Sequence, residues 1–514
     1  MNGSSADGVR PAPFVRRRAL PPWRRRGLRT RPMPGAVPHF GRTGRRPGPI
    51  GALRARLGPG WPLTVIFIGF PVWWLLGLGA IIFLLMTVPM ALHLWRHRDR
   101  VVVPRGFGWW LFFLAWVMLG VGTLWADAPG AVLGGGAGRL FVFLWRMSWY
   151  LAATVVLLFI GNLSERDLPT RRVADLLALM FIFTTAGGLV GSFLPNLELT
   201  SPMELVLPNA LAKNAFVYDW IHPKVASIET ILGFEQARPQ APFGYANVWG
   251  SAYAFFLPFF IITWLIQGGR WRRVTGTLIL AISLWPVVYS LNRGLWLSLG
   301  LMSAFVIGKI LMSGNVRAVR RTLAALTVGA LLFAASPLPG LIQARLDNPH
   351  SNNRRGLLAE QTVRSALTGS PIVGFGSTRD VQGNFASVAG GDRPGCRACG
   401  VPPMGTQGHI WLLVFATGVG GTVSFIAFFV VRFARHWRER SHYGIAGCAI
   451  LLCFGQFLFT YDLVEIPLFT VMVSTALTWR ARRTADAAPG GRPGSDAEAT
   501  AAIALGPAAA EPAR

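Results

Sequence analysis

Long apolar blocks separated by short arginine-rich segments dominate the hydrophobic pattern of this chain. Three of the clearest blocks are residues 61–94, 106–125 and 274–291. Each block contains few charges and is long enough to cross a hydrocarbon layer about 30 Å thick. A soluble core would instead distribute its apolar positions periodically. The pattern therefore predicts an all-α integral membrane protein with about twelve transmembrane helices.

The composition agrees with this interpretation and excludes an ordinary soluble domain. Hydrophobic residues make up 52% of the chain and charged residues only 14%. The net charge of +28 lies mostly at the ends and in short loops, so it does not indicate a nucleic-acid partner. The basic N-terminal segment either determines the topology alone or also binds anionic membrane lipid. We predict a disordered basic cytoplasmic tail at residues 1–57, a polytopic membrane domain at residues 58–484 and a second disordered cytoplasmic tail at residues 485–514.

The arginine content of the loops alternates from block to block, which is a topology signal because cytoplasmic loops are rich in Lys and Arg. The alternation predicts a multi-pass cell-membrane protein with both termini cytoplasmic. It also predicts that the two longest loops, residues 195–247 and 338–408, lie on the outer side. Both loops are far longer than ordinary connections, so each is expected to contain substructure or a binding role.

Arg293 breaks the topology pattern, because it lies between two apolar blocks on the predicted outer side. A cation at this depth is costly unless an anion meets it. Two interpretations are open: an interfacial arginine that snorkels beside Trp296, or an anion-binding residue. The adjacent Gly294 would let a ligand approach the backbone closely.

The second long loop contains further polar candidates. It includes the pair Arg354 and Arg355, then a glycine-rich segment at residues 369–376, and it ends where His409 begins an apolar span. The glycine-rich segment is either a phosphate cradle or a plain turn. The arginine pair and the histidine each have a structural alternative, a solvated helix face and an interfacial side chain.

The order of these motifs resembles the O-antigen ligase and polymerase superfamily over roughly residues 60 to 480. The resemblance rests on motif order and on the position of the large loop rather than on any one motif. The motifs, in chain order, are Gly244-Tyr245-Ala246-Asn247, Arg293-Gly294, Arg354-Arg355, Pro371-Ile372-Val373-Gly374-Phe375-Gly376 and Gly405-Thr406-Gln407-Gly408-His409.

The resemblance implies a metal-independent, inverting glycosyltransferase without a cofactor. Its partners would be a polyprenyl-diphosphate-linked glycan donor and an acceptor glycan or glycolipid at the outer face of the membrane. On this comparison Arg293 and Arg355, or its neighbour Arg354, bind the diphosphate, and Arg238 is a further candidate for that contact. His409 would be catalytic. The chemistry is consistent, because arginines neutralise a departing diphosphate and a histidine accepts the proton of the acceptor hydroxyl.

The predicted outer loops contain no Asp-x-Asp pair and no His-Glu-x-x-His cluster, so the sequence predicts no divalent metal site. Cys396 and Cys399 lie in the second loop, where a local disulfide and a metal pair are the alternatives. Cys448 and Cys453 lie within an apolar span and are predicted to be core residues.

A transporter or flippase for a lipid-linked saccharide is the main competing function. Transporters usually place ionisable groups near the membrane midplane, whereas the polar groups here gather at the predicted outer face. A membrane scaffold is a third possibility, but it leaves the outer arginines unexplained. The sequence therefore favours glycan transfer, with ligation and polymerisation both open.

Overall fold

The computed structural model describes residues 58–134, 136–212, 215–230, 235–314, 316–334, 350–382 and 402–486, together with residues 339, 340 and 343. The predicted tail at residues 1–57 lies outside the described residues, as does the C-terminal tail from residue 487. The same holds for Cys396 and Cys399, so the alternatives for that pair stay open.

The first half of the chain forms helices and one β-hairpin, which lies in the first long loop. The helices are α1 (Trp61–Ile68), α2 (Phe70–Leu75), α3 (Ile81–Arg96), α4 (Phe107–Leu119), α5 (Gly136–Asn162), α6 (Thr170–Phe193), α7 (Pro202–Val206), α8 (Asn209–Ala212) and α9 (Ala215–Ile221), followed by the antiparallel strands β1 (Ala226–Thr230) and β2 (Glu235–Pro239).

The second half is helical in its described parts. The helices are α10 (Ala246–Phe260), which continues as a π-helix at Ile261–Ile266, α11 (Arg270–Tyr289), α12 (Arg293–Leu311), α13 (Val316–Ala334), α14 (His350–Gly369), α15 (His409–His436), α16 (His442–Phe457) and α17 (Ile466–Asp486).

Five helices in the described part of the chain are long and apolar enough to cross a membrane. They are α5, α6, α10 with its π-helical end, α12 and α15. Shorter apolar helices are also present, including α3, α4 and α16. The chain is thus mostly helical and has the helices of a membrane protein, while the number of about twelve spans stays a prediction.

The bundle is held together by pairs of helices that are distant in sequence. α5 packs against α17, α6 against α10 and α4 against α15. The last pair meets through a cluster of buried rings. The ring centroids of Trp110 and Phe428 are 5.2 Å apart, and those of Phe113 and Phe425 are 5.0 Å apart. Cys448 and Cys453 are buried free thiols in α16, which confirms the expectation that they are core residues.

The first long loop does contain substructure, and glycines of α6 let it approach the bundle closely. A Cβ atom on Gly191 would lie 2.4 Å from the carbonyl oxygen of Val225 and 3.1 Å from the Cα of Pro239. These distances are too short for any side chain. The hairpin therefore rests directly on α6, and this contact fixes the position of Arg238 on β2.

Helix α15 is broken at Gly418, whose φ of 58° and ψ of −164° are accessible essentially only to glycine. The glycine-rich segment of the second loop supplies replacement hydrogen bonds there. The amides of Phe375 and Gly376 donate to the carbonyls of Phe415 and Ala416 at 2.8 and 2.9 Å. These two amides are therefore not available to a phosphate, and the segment fastens the loop to the broken helix.

Candidate functional site

A cavity of about 980 Å³ opens where the two long loops meet the bundle. Its wall includes residues from the first turns of α5, from α9 and from the start of α10. The second loop and the connection between α16 and α17 complete it. Segments far apart in sequence therefore meet around one polar space, within the size range of roughly 300–1,000 Å³ that is usual for ligand sites.

Tyr461, in the connection between α16 and α17, lines the cavity and contacts the start of α12. Its hydroxyl donates to the side-chain oxygen of Asn292, which also accepts the amide of Leu295 at 2.9 Å and so caps the helix. The Gly294 amide donates to the phenol oxygen. A Cβ on Gly294 would lie 2.5 Å from that oxygen, so the space beside this glycine is filled by Tyr461 rather than by a ligand, contrary to the sequence-based expectation.

Three of the arginines singled out in the sequence come together around Tyr461. The guanidinium of Arg355 lies over the phenol ring at 6.0 Å from its centroid. Arg293, the first residue of α12, interacts electrostatically with the same phenol. Arg238 is buried, and it donates to the side-chain oxygen of Asn247 at 3.1 Å and to the carbonyl of Ser290 at 3.2 Å.

These three residues, Arg238, Arg293 and Arg355, form the arginine group. They border the cavity through Tyr461 and Asn247, which line it, rather than lining it themselves. The fourth candidate, Arg354, begins the same helical turn as Arg355, but its side chain lies outside the described part of the structure.

The arginine group creates a positive potential at one end of the cavity. Burial raises the pKa of the Tyr461 phenol, and the charges of Arg238 and Arg355 oppose this rise. The N-terminus of α12 points toward the same place and adds the positive end of its dipole. Guanidinium groups bind phosphate oxygens in a bidentate manner, so this end of the cavity suits a phosphate or diphosphate.

His409 lies next to Tyr461 but beneath the cavity surface. Its side chain is fully buried, and neither ring nitrogen has a hydrogen-bond partner within the described residues. The backbone amide donates to the Tyr461 carbonyl at 2.8 Å, and the ring packs 5.1 Å from that of Phe425. Gln407, two residues before it, does line the cavity. The structure thus places His409, the first residue of α15, against the connection that contains Tyr461. Its ring is not exposed to the cavity.

Both helices that begin at this place are preceded by a left-handed residue other than glycine. Leu291 has φ of 48° before α12, and Gln407 has φ of 67° before α15. Such a conformation is held only when the surrounding structure determines it, and it is enriched at functional sites.

Acidic groups that the sequence analysis missed also line the cavity. Glu465 accepts a hydrogen bond from Trp145 at 3.0 Å, and Asp462 accepts the amides of Gln407 and Gly408. Burial raises the pKa of Glu465 to about 8, although the Trp145 hydrogen bond and the charge of Arg146 lower it. Glu465 is therefore largely protonated near neutral pH.

Arg146 and Glu465 could have been found from the sequence. Each is an ionisable residue inside or at the edge of a long apolar block, which is a signal for function. What the sequence does not show is that residues about 320 positions apart along the chain would share one cavity.

Other arginines of the cavity wall bind the protein's own backbone. Arg379 is buried and donates to the carbonyls of Ser377, Leu124 and Phe375 at 2.8 to 3.0 Å. Burial lowers the pKa of its guanidinium to about 10, and the charge of Arg139 contributes. Arg379 still carries a full charge at neutral pH, and its described hydrogen bonds join the second loop to the segment after α4.

The site places a cationic group of arginines beside two carboxyl groups, an arrangement that suits an anionic ligand. In the described ranges no group of three or more His, Cys, Asp and Glu side chains is arranged to hold a metal ion. That the reaction needs no metal stays a prediction. The resemblance to the O-antigen ligase and polymerase superfamily therefore has to be judged on the arginine group and the cavity. No protein-family model matches the chain, and no curated protein matches it.

Proposed function

We propose that this protein is a multi-pass cell-membrane glycosyltransferase of the O-antigen ligase and polymerase type. It transfers a glycan from a polyprenyl-diphosphate donor to a hydroxyl of an acceptor glycan at the outer face, in cell-surface polysaccharide biosynthesis. The observation that supports this most is the convergence of Arg238, Arg293 and Arg355, from three separate segments, on Tyr461 at the end of a polar cavity.

The proposed reaction is a single displacement at the anomeric carbon of the donor. The acceptor oxygen forms a bond to that carbon, and the bond to the diphosphate oxygen breaks with inversion. The diphosphate leaves with the electron pair, and its growing charge is stabilised by the arginine group. Because a guanidinium is permanently charged, this stabilisation needs no proton transfer.

The proton of the acceptor hydroxyl goes to a base, and we propose His409 for this role. Because its ring is covered in the structure, the cavity wall has to open toward the ring when the acceptor binds. A neutral imidazole with a nitrogen that makes no hydrogen bond has a lone pair available for a proton. Asp462 is the competing base, because it lines the cavity next to Tyr461 and is exposed to it. The two candidate bases can be distinguished by experiment, since His409 is uncharged before it accepts the proton and Asp462 is an anion.

The test is a transfer assay with purified protein in lipid nanodiscs. The donor is a synthetic undecaprenyl-diphosphate oligosaccharide and the acceptors are oligosaccharides from the host envelope. We expect product in the presence of chelator, and expect Arg355→Ala to abolish most of it. Arg320→Ala, which removes an exposed arginine at the start of α13, is the matched control and should retain activity.

Two results would contradict the proposal. One is activity that requires magnesium or manganese. The other is wild-type protein that makes no product but moves the donor across the bilayer, which would identify a flippase.

The proposed side of the membrane can be tested independently with single cysteines in intact cells. Gln382 is exposed in the second loop, and Arg320 is exposed at the start of α13, on the predicted cytoplasmic side. A cysteine at position 382 should react with an impermeant maleimide before permeabilisation, and one at position 320 only afterwards. The reverse pattern would place the cavity on the cytoplasmic side and exclude outer-face transfer.

A further inference from the structure

One wall of the cavity combines aromatic rings with carboxyl groups. The ring centroids of Trp145 and Trp220 are 6.0 Å apart, and those of Trp220 and Tyr245 are 5.6 Å apart at an angle of 81°. A carboxyl group lies at each end of this row: Trp145 donates to Glu465, and Tyr245 donates to Asp219, both at 3.0 Å. We call these five cavity-lining residues the aromatic-acid wall.

The chemistry of this wall matches that of a sugar ring. A pyranose has one apolar face of C–H groups, which packs on aromatic rings, and a rim of hydroxyls, which donate to carboxyl oxygens. The rings of Trp145 and Tyr245 are already held in place by hydrogen bonds to the carboxyl groups, so they lose little conformational freedom on binding. A cavity of about 980 Å³ also has room for more than one sugar unit.

Two other classes of ligand fit the wall less well. An acyl chain would cover the carboxyl groups of Asp219 and Glu465 and offer no partner to the oxygens that Tyr245 and Trp145 do not use, which is costly. A quaternary ammonium ion would be attracted by the rings and carboxylates, but Arg139, Arg146 and Arg379 line the same cavity. A neutral ligand with many hydroxyl groups is compatible with all of these residues.

The wall is continuous with the arginine group. Tyr245 immediately precedes α10, and Asn247, in the first turn of that helix, accepts a hydrogen bond from Arg238. When a sugar ring lies on the wall, the group attached to it therefore lies near the arginine group. This arrangement fits a glycosyl diphosphate, or an acceptor sugar bound beside one.

We infer that the aromatic-acid wall binds the pyranose rings of the glycan substrate, separately from the diphosphate at the arginine group. This inference rests on the proposed function and adds to it a saccharide subsite made of Trp145, Trp220, Tyr245, Asp219 and Glu465. The sugar belongs either to the acceptor or to the donor, and the two sources are distinguished by the experiment.

The experiment measures sugar binding without any transfer. Oligosaccharides released by mild acid from the host envelope polysaccharide are titrated into full-length protein in nanodiscs, and binding is followed by saturation-transfer-difference NMR. Trp220→Ala should weaken binding at least about tenfold, which corresponds to about 1.4 kcal/mol. The matched control is Trp271→Ala, which removes a 76% exposed tryptophan from α11 and should leave the affinity unchanged. Equal affinities for the two variants, or absence of binding to the wild type, would overturn the inference.

A second variant covers the case in which Trp220→Ala does not fold. Asp219→Asn keeps the size of the side chain and replaces one hydroxyl-accepting oxygen by a donor, so it should weaken oligosaccharide binding at least about threefold. Unchanged affinity in this variant would count against the wall.

The two sources of the sugar are separated by adding the lipid-linked donor. Displacement of the free oligosaccharide assigns the wall to the donor glycan, and simultaneous binding assigns it to the acceptor. Weakened sugar binding in Trp220→Ala together with no transfer by the wild type would retain the wall and reject the proposed function. Transfer by the wild type with unaltered sugar binding in the variant would reject the wall alone.

Discussion

Arginines on two sides of the same cavity have different surroundings. Arg379 is buried, and its described hydrogen bonds are to backbone carbonyls, including those of Leu124 and Phe375. Arg355 and Arg293 instead lie around the ring of one tyrosine at a helix start. Carbonyls that accept from a guanidinium satisfy both partners, so Arg379 stabilises the loop. The guanidinium groups that meet at the tyrosine ring give this end of the cavity a positive potential, and we propose that this potential attracts the ligand anion.

Arginine count alone therefore does not identify a ligand site. Arg480, at the other end of the bundle, is also satisfied by the protein itself: it is buried, donates to the carbonyls of Ile160 and Leu163 and to Thr170, and forms an ion pair with Glu165 at 3.0 Å. Whether the distinction between the two kinds of arginine is functional can be tested by four measurements.

The largest effect is expected from His409→Ala. This variant tests whether glycan transfer occurs at the end of the cavity beside the arginine group. Removal of a general base lowers turnover typically by about 10²–10⁴-fold. Donor affinity should stay the same, because the ring does not contact the arginine group's anion site in the proposed arrangement. Single-turnover rates and equilibrium donor binding should be measured side by side. Wild-type turnover in this variant, with turnover lost in Asp462→Asn, would transfer the role of base to Asp462.

The next effect is expected from Arg293→Ala and Arg355→Ala. Each should weaken binding of the lipid-diphosphate donor about 10- to 100-fold, because hydrogen bonds to charged groups contribute roughly 1.5–3 kcal/mol. Lysine should restore little of this affinity, since it lacks the planar bidentate geometry. The thermal midpoint of unfolding should change little. Donor binding equal to that of the wild type in both variants would remove the functional distinction.

Arg379→Ala should have the opposite signature. The variant removes the Arg379 donor from the Ser377 carbonyl, at about 1–3 kcal/mol for a carbonyl left unsatisfied. The carbonyls of Leu124 and Phe375 each lose one hydrogen bond but keep another, from Arg139 and from the Ser377 amide. The thermal midpoint in detergent should therefore fall. The donor affinity of the fraction that remains folded should equal that of the wild type. If affinity falls while stability is retained, Arg379 belongs with the ligand-binding arginines.

The smallest effect concerns the pH dependence of stability and tests the protonated state of Glu465. Its folded-state pKa is raised from 4.5 to about 8, so the folded protein binds this proton more tightly than the unfolded chain. The stability contributed by the protonated group is complete below pH 4.5 and is lost as pH rises through about 8. Glu465→Gln does not titrate there. The thermal midpoint of the variant minus that of the wild type should therefore increase between these pH values, and a constant difference would contradict the raised pKa.

The sequence predicted the helical and apolar character of the chain because these properties are local. Arg-rich ends, long apolar blocks and the span that begins at His409 can each be identified in a short window. Helices α4 and α11 lie largely within the apolar blocks at residues 106–125 and 274–291. The membrane orientation, the number of spans and the roles of the site residues stay predictions.

The site was only partly predictable, because it depends on contacts between distant segments. Arg293, Arg355 and Arg238 were singled out one at a time, and their meeting at Tyr461 depends on packing of α12, α14 and β2 that no local pattern records. Tyr461 itself was not among the candidate residues of the sequence analysis. Gly294 was expected to admit a ligand, but a tyrosine from a segment about 170 residues away fills that space.

The break at Gly418 has a consequence for the depth at which the substrate meets the protein. Beyond the break, α15 continues for about 18 residues, or about 27 Å at 1.5 Å per residue, which is close to the hydrocarbon thickness of a bilayer. In the proposed orientation the first turns of α15, with His409, therefore lie at the level of the lipid headgroups. A polyprenyl diphosphate holds its phosphates at that same level, so the donor would reach the arginines by lateral diffusion in the membrane plane, without its lipid chain being lifted out.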